Sequence, residues 1–244
     1  ADFQHRFNGA MVYGEGCRRL DKGWAATGGL ILNPDRNISA GISIRDATSG
    51  YAWPYSNASG MNSDGNGETG IYIGLNLRPN SKLSINIYHE EAATSWLGYR
   101  RNSTDRSSTE GIRMTYAQSK KTEFSLTVRR TASLVNRPSD DDIEGVSENI
   151  AKQVRLQFTG EPSFGWQLRY RWEYKKQELP GTVSTGMMAF QDLRYRPNGL
   201  PLSISIRTIL FQSTDYGSAI YVQESEPLYS YRNTACYGEG MRWY

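Results

Sequence analysis

Along most of the chain apolar residues recur at every second position, the period of a β-strand and not of a helix. Ile71, Ile73, Leu75 and Leu77 alternate with Tyr72, Gly74, Asn76 and Arg78. Leu83, Ile85 and Ile87 alternate with Ser84, Asn86 and Tyr88, and Phe124, Leu126 and Val128 with Ser125, Thr127 and Arg129. Val154, Leu156 and Phe158 face away from Arg155, Gln157 and Thr159. Trp166, Leu168, Tyr170, Trp172 and Tyr174 face away from Gln167, Arg169, Arg171, Glu173 and Lys175, and Leu202, Ile204 and Ile206 from Ser203, Ser205 and Arg207. The runs predict strands near 3–13, 24–33, 36–46, 70–79, 82–92, 110–118, 121–131, 150–159, 164–176, 185–196, 200–212 and 218–224, with a further one beginning near Gly240. Most are ~9–12 residues long, beyond the ~5–6 of strands in soluble proteins and close to the ~9–11 that a tilted strand needs to cross a bilayer.

The connections carry a second rhythm. Asn33–Arg36, Pro79–Ser81, Gln118–Lys120, Gly160–Ser163 and Pro197–Gly199 read as tight turns rich in Pro, Asn, Gly and Lys. Between them stand longer polar segments, Ala47–Thr69, Ala93–Thr109, Ala132–Asn149 and Lys176–Ser184, and a shorter one at Gly14–Gly23. Alternation of short and long connections is the arrangement of outer-membrane barrels, with short periplasmic turns and longer extracellular loops. It predicts an all-β fold, an antiparallel transmembrane β-barrel of about 12–14 strands. The N-terminus would be periplasmic, with the first strand rising outwards.

A soluble β-sandwich or lipocalin-like barrel would show the same alternation with the apolar face turned inward. The polar phase here carries Arg78, Arg113, Arg129, Arg155, Arg169, Arg171 and Arg207 among Asn, Gln, Ser and Thr. A hydrogen-bonded or water-filled lumen holds such residues, whereas a dry core would pay several kcal/mol for each unpaired charge. Aromatic residues near the expected strand ends, Trp24, Tyr51, Trp53, Trp96, Tyr99, Tyr116, Trp166, Tyr195 and Trp243, suit interfacial girdles. Their plainer use is packing.

Composition narrows the field further. No apolar stretch of the chain approaches the ~18 residues of a spanning helix, and 29 Phe, Trp and Tyr residues among 244 are too many for a disordered chain. A formal charge of +3 is too small to imply nucleic acid by itself. The length fits one domain, residues 1–244.

Candidate chemistry is sparse. Of the two histidines, His5 and His89, only His89 has acidic neighbours, Glu90 and Glu91. A Ser–His hydrolase built on His89 is conceivable, a strand-end histidine beside charged residues being the simpler reading. The carboxylates of Ser139-Asp140-Asp141-Asp142-Ile143-Glu144 could hold calcium but lack the EF-hand spacing, and Asn62-Ser63-Asp64-Gly65-Asn66-Gly67-Glu68 looks somewhat like a calcium loop; the simpler readings are a solvated loop and a flexible turn. The arginines could form a basic path, or pair with acidic partners such as Glu173. Cys17 and Cys236 each adjoin a Tyr-Gly-Glu-Gly sequence near the first and last strands. They could pair if those strands are neighbours, two separate thiols being the other reading. With no phosphate-binding glycine loop or metal-spaced histidines, neither a cofactor nor a metal is expected.

Several segments resemble one family of barrels. Tyr13-Gly14-Glu15, Gly23-Trp24-Ala25-Ala26, Leu32-Asn33-Pro34-Asp35-Arg36, Gly67-Glu68-Thr69-Gly70-Ile71-Tyr72-Ile73-Gly74-Leu75 with Arg78-Pro79, Ile220-Tyr221-Val222 with Tyr229, and Tyr237-Gly238-Glu239-Gly240-Met241-Arg242-Trp243-Tyr244 are similar to the barrel part of Bacteroidota outer-membrane proteins that carry a helix-hairpin-helix (ComEA-like) segment ahead of the barrel. That segment is not in this sequence, and His89-Glu90-Glu91-Ala92-Ala93-Thr94-Ser95-Trp96-Leu97 stands where the family has an aromatic, Pro- and Trp-containing stretch. The likeness implies a last strand beyond Tyr244, and hence a chain truncated at both ends. It implies no catalytic residue. The function expected is a non-enzymatic outer-membrane barrel, either a pore or a membrane-embedded subunit of a larger envelope assembly, with lipid and other envelope proteins as partners. DNA capture, implied by the family's helix-hairpin-helix segment, and lipid hydrolysis by His89 are the alternatives.

Overall fold

The computed structural model describes residues 1–20, 23–51, 67–97, 101–136, 145–197, 199–224 and 233–244. Among the described residues fifteen strands follow one another: β1 (Asp2–Phe7), β2 (Ala10–Arg19), β3 (Gly23–Asp35), β4 (Ile38–Ala47), β5 (Glu68–Asn80), β6 (Leu83–Leu97), β7 (Thr104–Ser119), β8 (Thr122–Asn136), β9 (Val146–Gly160), β10 (Trp166–Leu179), β11 (Thr182–Tyr195), β12 (Ile204–Ser213), β13 (Ile220–Gln223), β14 (Asn233–Cys236) and β15 (Glu239–Trp243). A 3₁₀ turn at Tyr216–Ser218 precedes β13. Among the described residues no helix is long and apolar enough to cross a membrane. The protein is all-β with an antiparallel sheet. Its strand order is β1 through β12 and then β15, while β13 and β14 form a separate pair. Two compact units are described separately, the first Ala1–Ile112 with Arg130–Ile150, the second Arg113–Arg129 with Ala151–Tyr244.

Four expectations are corrected. The run 3–13 is two strands, not one, because Asn8-Gly9 makes a two-residue hairpin that sets Phe7 opposite Ala10. Gly9 sits at φ 75°, the left-handed conformation that such a turn requires. The first strand therefore runs antiparallel to β2, and Asp2 lies opposite Glu15 near the far end of β2. Lys176–Ser184 is not a loop, since β10 and β11 pair up to Leu179 and Thr182 around Pro180-Gly181. Residues 218–224 do not join the main sheet; β13 pairs with the unforeseen β14, and β15 takes the place beside β12. Finally, β5 to β11 are 13–16 residues long, so pairing continues well into segments expected to be loops.

The reason for the longer strands lies in their two faces. In the first unit one face carries Val12, Leu30, Ile42, Ile73 and Ile87 in consecutive strands, and the other Tyr13, Ser43, Tyr72 and Tyr88. On the apolar face the aliphatic run ends and charges begin: β6 passes from Ile87 to His89 and Glu91, and β7, read back from its C-terminal end, from Ile112 to Glu110. Arg130 then bonds Glu110 at 3.1 Å, and Arg106 lies 3.8 Å from Glu91. In the second unit β9, read the same way, passes from Val154 to Lys152 and β10 from Tyr174 to Lys176 and Glu178, with Glu178 taking both lysines at 3.2 and 2.7 Å. Apolar alternation stops there, but backbone pairing does not.

Gly9→Val should lower stability by about 1–3 kcal/mol, because a β-branched residue is forced to positive φ and its Cβ would stand 3.0 Å from the Asn33 carbonyl oxygen. Gly16→Ala, with open space around the new methyl, should change it by less than about 0.5 kcal/mol. Thermal or urea unfolding of the two variants checks the hairpin.

Candidate functional site

The polar face of the second unit holds an ion-pair network that starts at Glu173. Alternation along β10 puts Glu173 on the face opposite Trp172 and Tyr174, and the register with β11 sets it against Met188. Its carboxylate is 1% exposed. Arg155 Nε donates to it at 2.7 Å, Arg171 Nε donates at 2.7 Å and also approaches through Nη2, and the Gln153 amide donates from β9. Arg129 Nη2 in turn donates to Gln153 Oε1 at 2.8 Å. Two cations around one carboxylate satisfy a buried anion that would otherwise cost several kcal/mol.

One strand further, Asp192 and Arg207 are directly opposite across β11 and β12. Arg207 donates through Nε and Nη2 to both carboxylate oxygens, the bidentate geometry that suits a guanidinium. Its Nη1 donates to the Gln223 carbonyl at 2.7 Å and to the Tyr244 hydroxyl at 3.2 Å. The Phe190 ring lies between the guanidiniums of Arg171, at 5.7 Å, and Arg207, at 5.0 Å. Beside them is a cavity of about 210 Å³ bounded by Gln167, Arg169, Asp192, Arg194, Ser205 and Tyr244.

The β13–β14 pair is seated on this same face. Ile220, Val222 and Cys236 bury themselves against Met188, Phe190 and Ile209, the apolar core of the second unit. Lys175 Nζ donates to the Gly217 carbonyl at 2.7 Å, and Ser218 Oγ to the Thr185 carbonyl at 3.0 Å. Burial pushes the Cys236 thiol up from its ordinary value. The first unit has its own network: Arg45 Nε donates to Glu68 and Arg45 Nη2 to Glu90, both at 2.9 Å, with Glu68 3% exposed. Asn76 donates to Asn86 at 2.6 Å, and the Tyr72 and Tyr88 rings stack at 6.3 Å.

The arginines singled out in the sequence thus divide. Arg155 and Arg171 meet on Glu173; Arg207 meets Asp192, and Arg169 approaches it at 4.0 Å. Arg129 reaches the first group through Gln153, and Arg113 Nε bonds Thr127 at 3.4 Å. Arg78 is exposed near the tip of β5, its backbone N–H bonded to the Asn37 carbonyl at 2.7 Å. Trp24 and Trp166 lie on the apolar phase, Trp166 packed on Tyr195 at 4.5 Å. Trp243 lies on that phase too, level with Thr208 in the middle of β12. Trp96 alternates with the polar phase of β6 and lies against Gly67. Trp53, Tyr99, the run 139–144 and most of 62–68 lie outside the described residues. Cys17 and Cys236 are both free, Cys17 exposed on β2 and Cys236 buried. His89 Nε2 is 3.6 Å from Glu91 on the apolar phase, Glu90 being on the opposite one; among the described residues no serine hydroxyl bonds His89.

Sequence reasoning missed Arg45, Asp192 and Arg194, and considered Glu68 and Glu90 only for other roles. Arg45 was within reach, since it continues the polar phase of Ser39 and Ser43. The acidic partners were not, because strand register decides which carboxylate an arginine meets. No protein-family model and no curated protein matches the chain.

Glu173→Ala should cost about 3–5 kcal/mol, since it leaves two guanidiniums without their anion. Arg155→Ala should cost less than Arg171→Ala, because the Arg155 side chain is 33% exposed against 13%. Urea unfolding of the three variants checks the order.

Proposed function

We propose that the chain is an integral outer-membrane β-barrel protein of a Gram-negative envelope, non-enzymatic, serving as a membrane-embedded subunit of an envelope assembly or as a narrow pore. Closure of the strand order into a ring is part of this proposal. The carrying observation is an inverted polarity. Ile44, Ile73, Ile206 and Leu210 are 48–54% exposed, while Glu68, Glu173 and Arg207 are 8% exposed or less. A water-soluble sheet sorts these residues the other way. In the first unit the buried apolar residues among those described are Ala92 and Ala132, so its large aliphatic side chains are left uncovered by the chain itself. A lipid-facing band with a hydrogen-bonded interior is the arrangement in which both sets are satisfied.

The charged ends of the apolar faces support an orientation as well. The ion pairs of Glu91, Glu110, Arg130, Lys152 and Glu178 stand at the strand ends that lead into the connections 98–103, 137–145 and 180–181. Strands longer than a bilayer requires would project there beyond the lipid. With those ends outward, β2 rises and β1 descends, which moves residue 1 to the outer half and replaces the periplasmic N-terminus expected from a single first strand. The β13–β14 pair on the polar face favours an occupied interior, and so a subunit over a wide channel. The likeness to helix-hairpin-helix barrel proteins is compatible with this reading and adds no residue to it.

The protein should sediment with outer membranes and resist a carbonate wash; recovery in the soluble fraction would contradict the proposal. Leu210→Arg should lower stability in a bilayer by about 2–4 kcal/mol if the residue lies near the midplane. A face bathed in water would tolerate it within about 0.5 kcal/mol. Co-purifying envelope proteins would mark the subunit, and small steady conductance of the isolated protein the pore; neither being found would set aside both roles.

A further inference from the structure

We infer that the cavity beside Arg169, Arg194 and Arg207 binds a phosphate group. Two adjacent rungs cross the polar face of β10, β11 and β12, one formed by Gln167, Arg194 and Ser205, the next by Arg169, Asp192 and Arg207. Residues directly opposite lie ~5 Å apart and diagonal neighbours ~7–8 Å apart, so Arg169 and Arg194 reach the same space from opposite corners. That space is the cavity of about 210 Å³, with Tyr244 on its wall.

Its charges do not balance. Arg169, Arg194 and Arg207 face a single side-chain carboxylate, Asp192. Both Asp192 oxygens are taken by Arg207, whose Nη1 is committed to Gln223 and Tyr244. Arg169 Nη1 remains 4.0 Å from Asp192, beyond hydrogen-bonding range. Among the described residues the Arg194 side chain makes no hydrogen bond or ion pair, although the residue is half-buried. Two guanidiniums are therefore left over, with the Gln167 amide and the Ser205 hydroxyl as further donors on the same rung.

A phosphate dianion matches that surplus in charge, and its oxygens accept the forked donors of arginine. A single carboxylate would leave one cation over. The volume equals roughly seven water molecules at ~30 Å³ each, room for a phosphate and a short substituent but below the ~300 Å³ of pockets for larger organic ligands. Free phosphate and the phosphate of a small monoester share this chemistry. The inference needs only these three strands and Tyr244, not a membrane, so it stands or falls separately from the proposed location.

Calorimetric titration of the purified full chain in detergent, with inorganic phosphate at fixed ionic strength, tests it. Saturable binding is expected, weakened about tenfold or more in Arg169→Gln and in Arg194→Gln and unchanged in Arg78→Gln. Because Arg194 has no partner to lose, Arg194→Gln without phosphate should melt no lower than the parent, which separates loss of the site from loss of the fold. Titration with glycerol phosphate distinguishes the sources: tighter binding than inorganic phosphate assigns the site to a monoester, weaker binding to the free ion. Absence of saturable binding of either, an equal response to chloride, or variants that bind within about twofold of the parent would overturn the inference.

Discussion

A carboxylate withdrawn from water has to be met by cations, and Glu173 is met by two. Arg155 comes from the strand before it and Arg171 from two positions earlier on its own strand, so the pairing ties side-chain placement to the register of β9 against β10. Slipping β9 by one residue would send Arg155 and Gln153 to the apolar face and leave Glu173 with Arg171 alone. Arg207 extends the constraint to β12 through Asp192, and to the last residue through Tyr244. In the first unit Arg45 performs the same function across β4, β5 and β6 by holding Glu68 and Glu90. Register is thus set by charge on one face, which frees the other to be uniformly apolar.

That freedom has a consequence for the environment. A face of Ile, Leu, Val and aromatic residues about half exposed leaves roughly 1 kcal/mol per large side chain unrealised in water, taking half of the usual gain for full burial. The sheet cannot be turned around to recover it, because the opposite face is already filled by ion pairs and, in the second unit, by Ile220, Val222 and Cys236. The proposed contact of the apolar face with lipid resolves the conflict without moving a residue. It also accounts for the limits of the apolar run, which ends at charged pairs such as Glu110 with Arg130 and Lys152 with Glu178 while the strands go on.

Much of the strand pattern was legible because period-2 alternation survives wherever one face is apolar; β3 to β12 each overlap most of the run that predicted them. Their ends were not legible, because an alternation of Ile with polar residues disappears once both faces are polar, as it does after Ile87 and before Val154. Asn8-Gly9 was legible in principle, being the dipeptide most characteristic of a tight hairpin, but Phe3, His5 and Phe7 seemed to continue into Ala10 and Val12. The site was half legible. Its arginines stand out on the polar phase, yet that Arg207 meets Asp192 and not Glu173, and that Arg194 meets nothing, follows from three-strand register that no local pattern encodes. The seat of β13 and β14 on the polar face was invisible for the same reason, since Ile220 and Val222 alternate like any sheet strand.

The central claim is that the apolar face meets lipid and the polar face does not. Nitroxide labels placed singly along β4, in a chain whose Cys17 and Cys236 are replaced by serine, measure this directly in reconstituted bilayers. At positions 38, 42 and 44 the labels should be relaxed by lipid-dissolved oxygen, and at 39 and 43 by a water-soluble paramagnetic complex or by neither. Water accessibility at 38, 42 and 44, or no alternation between the two sets, would contradict the account.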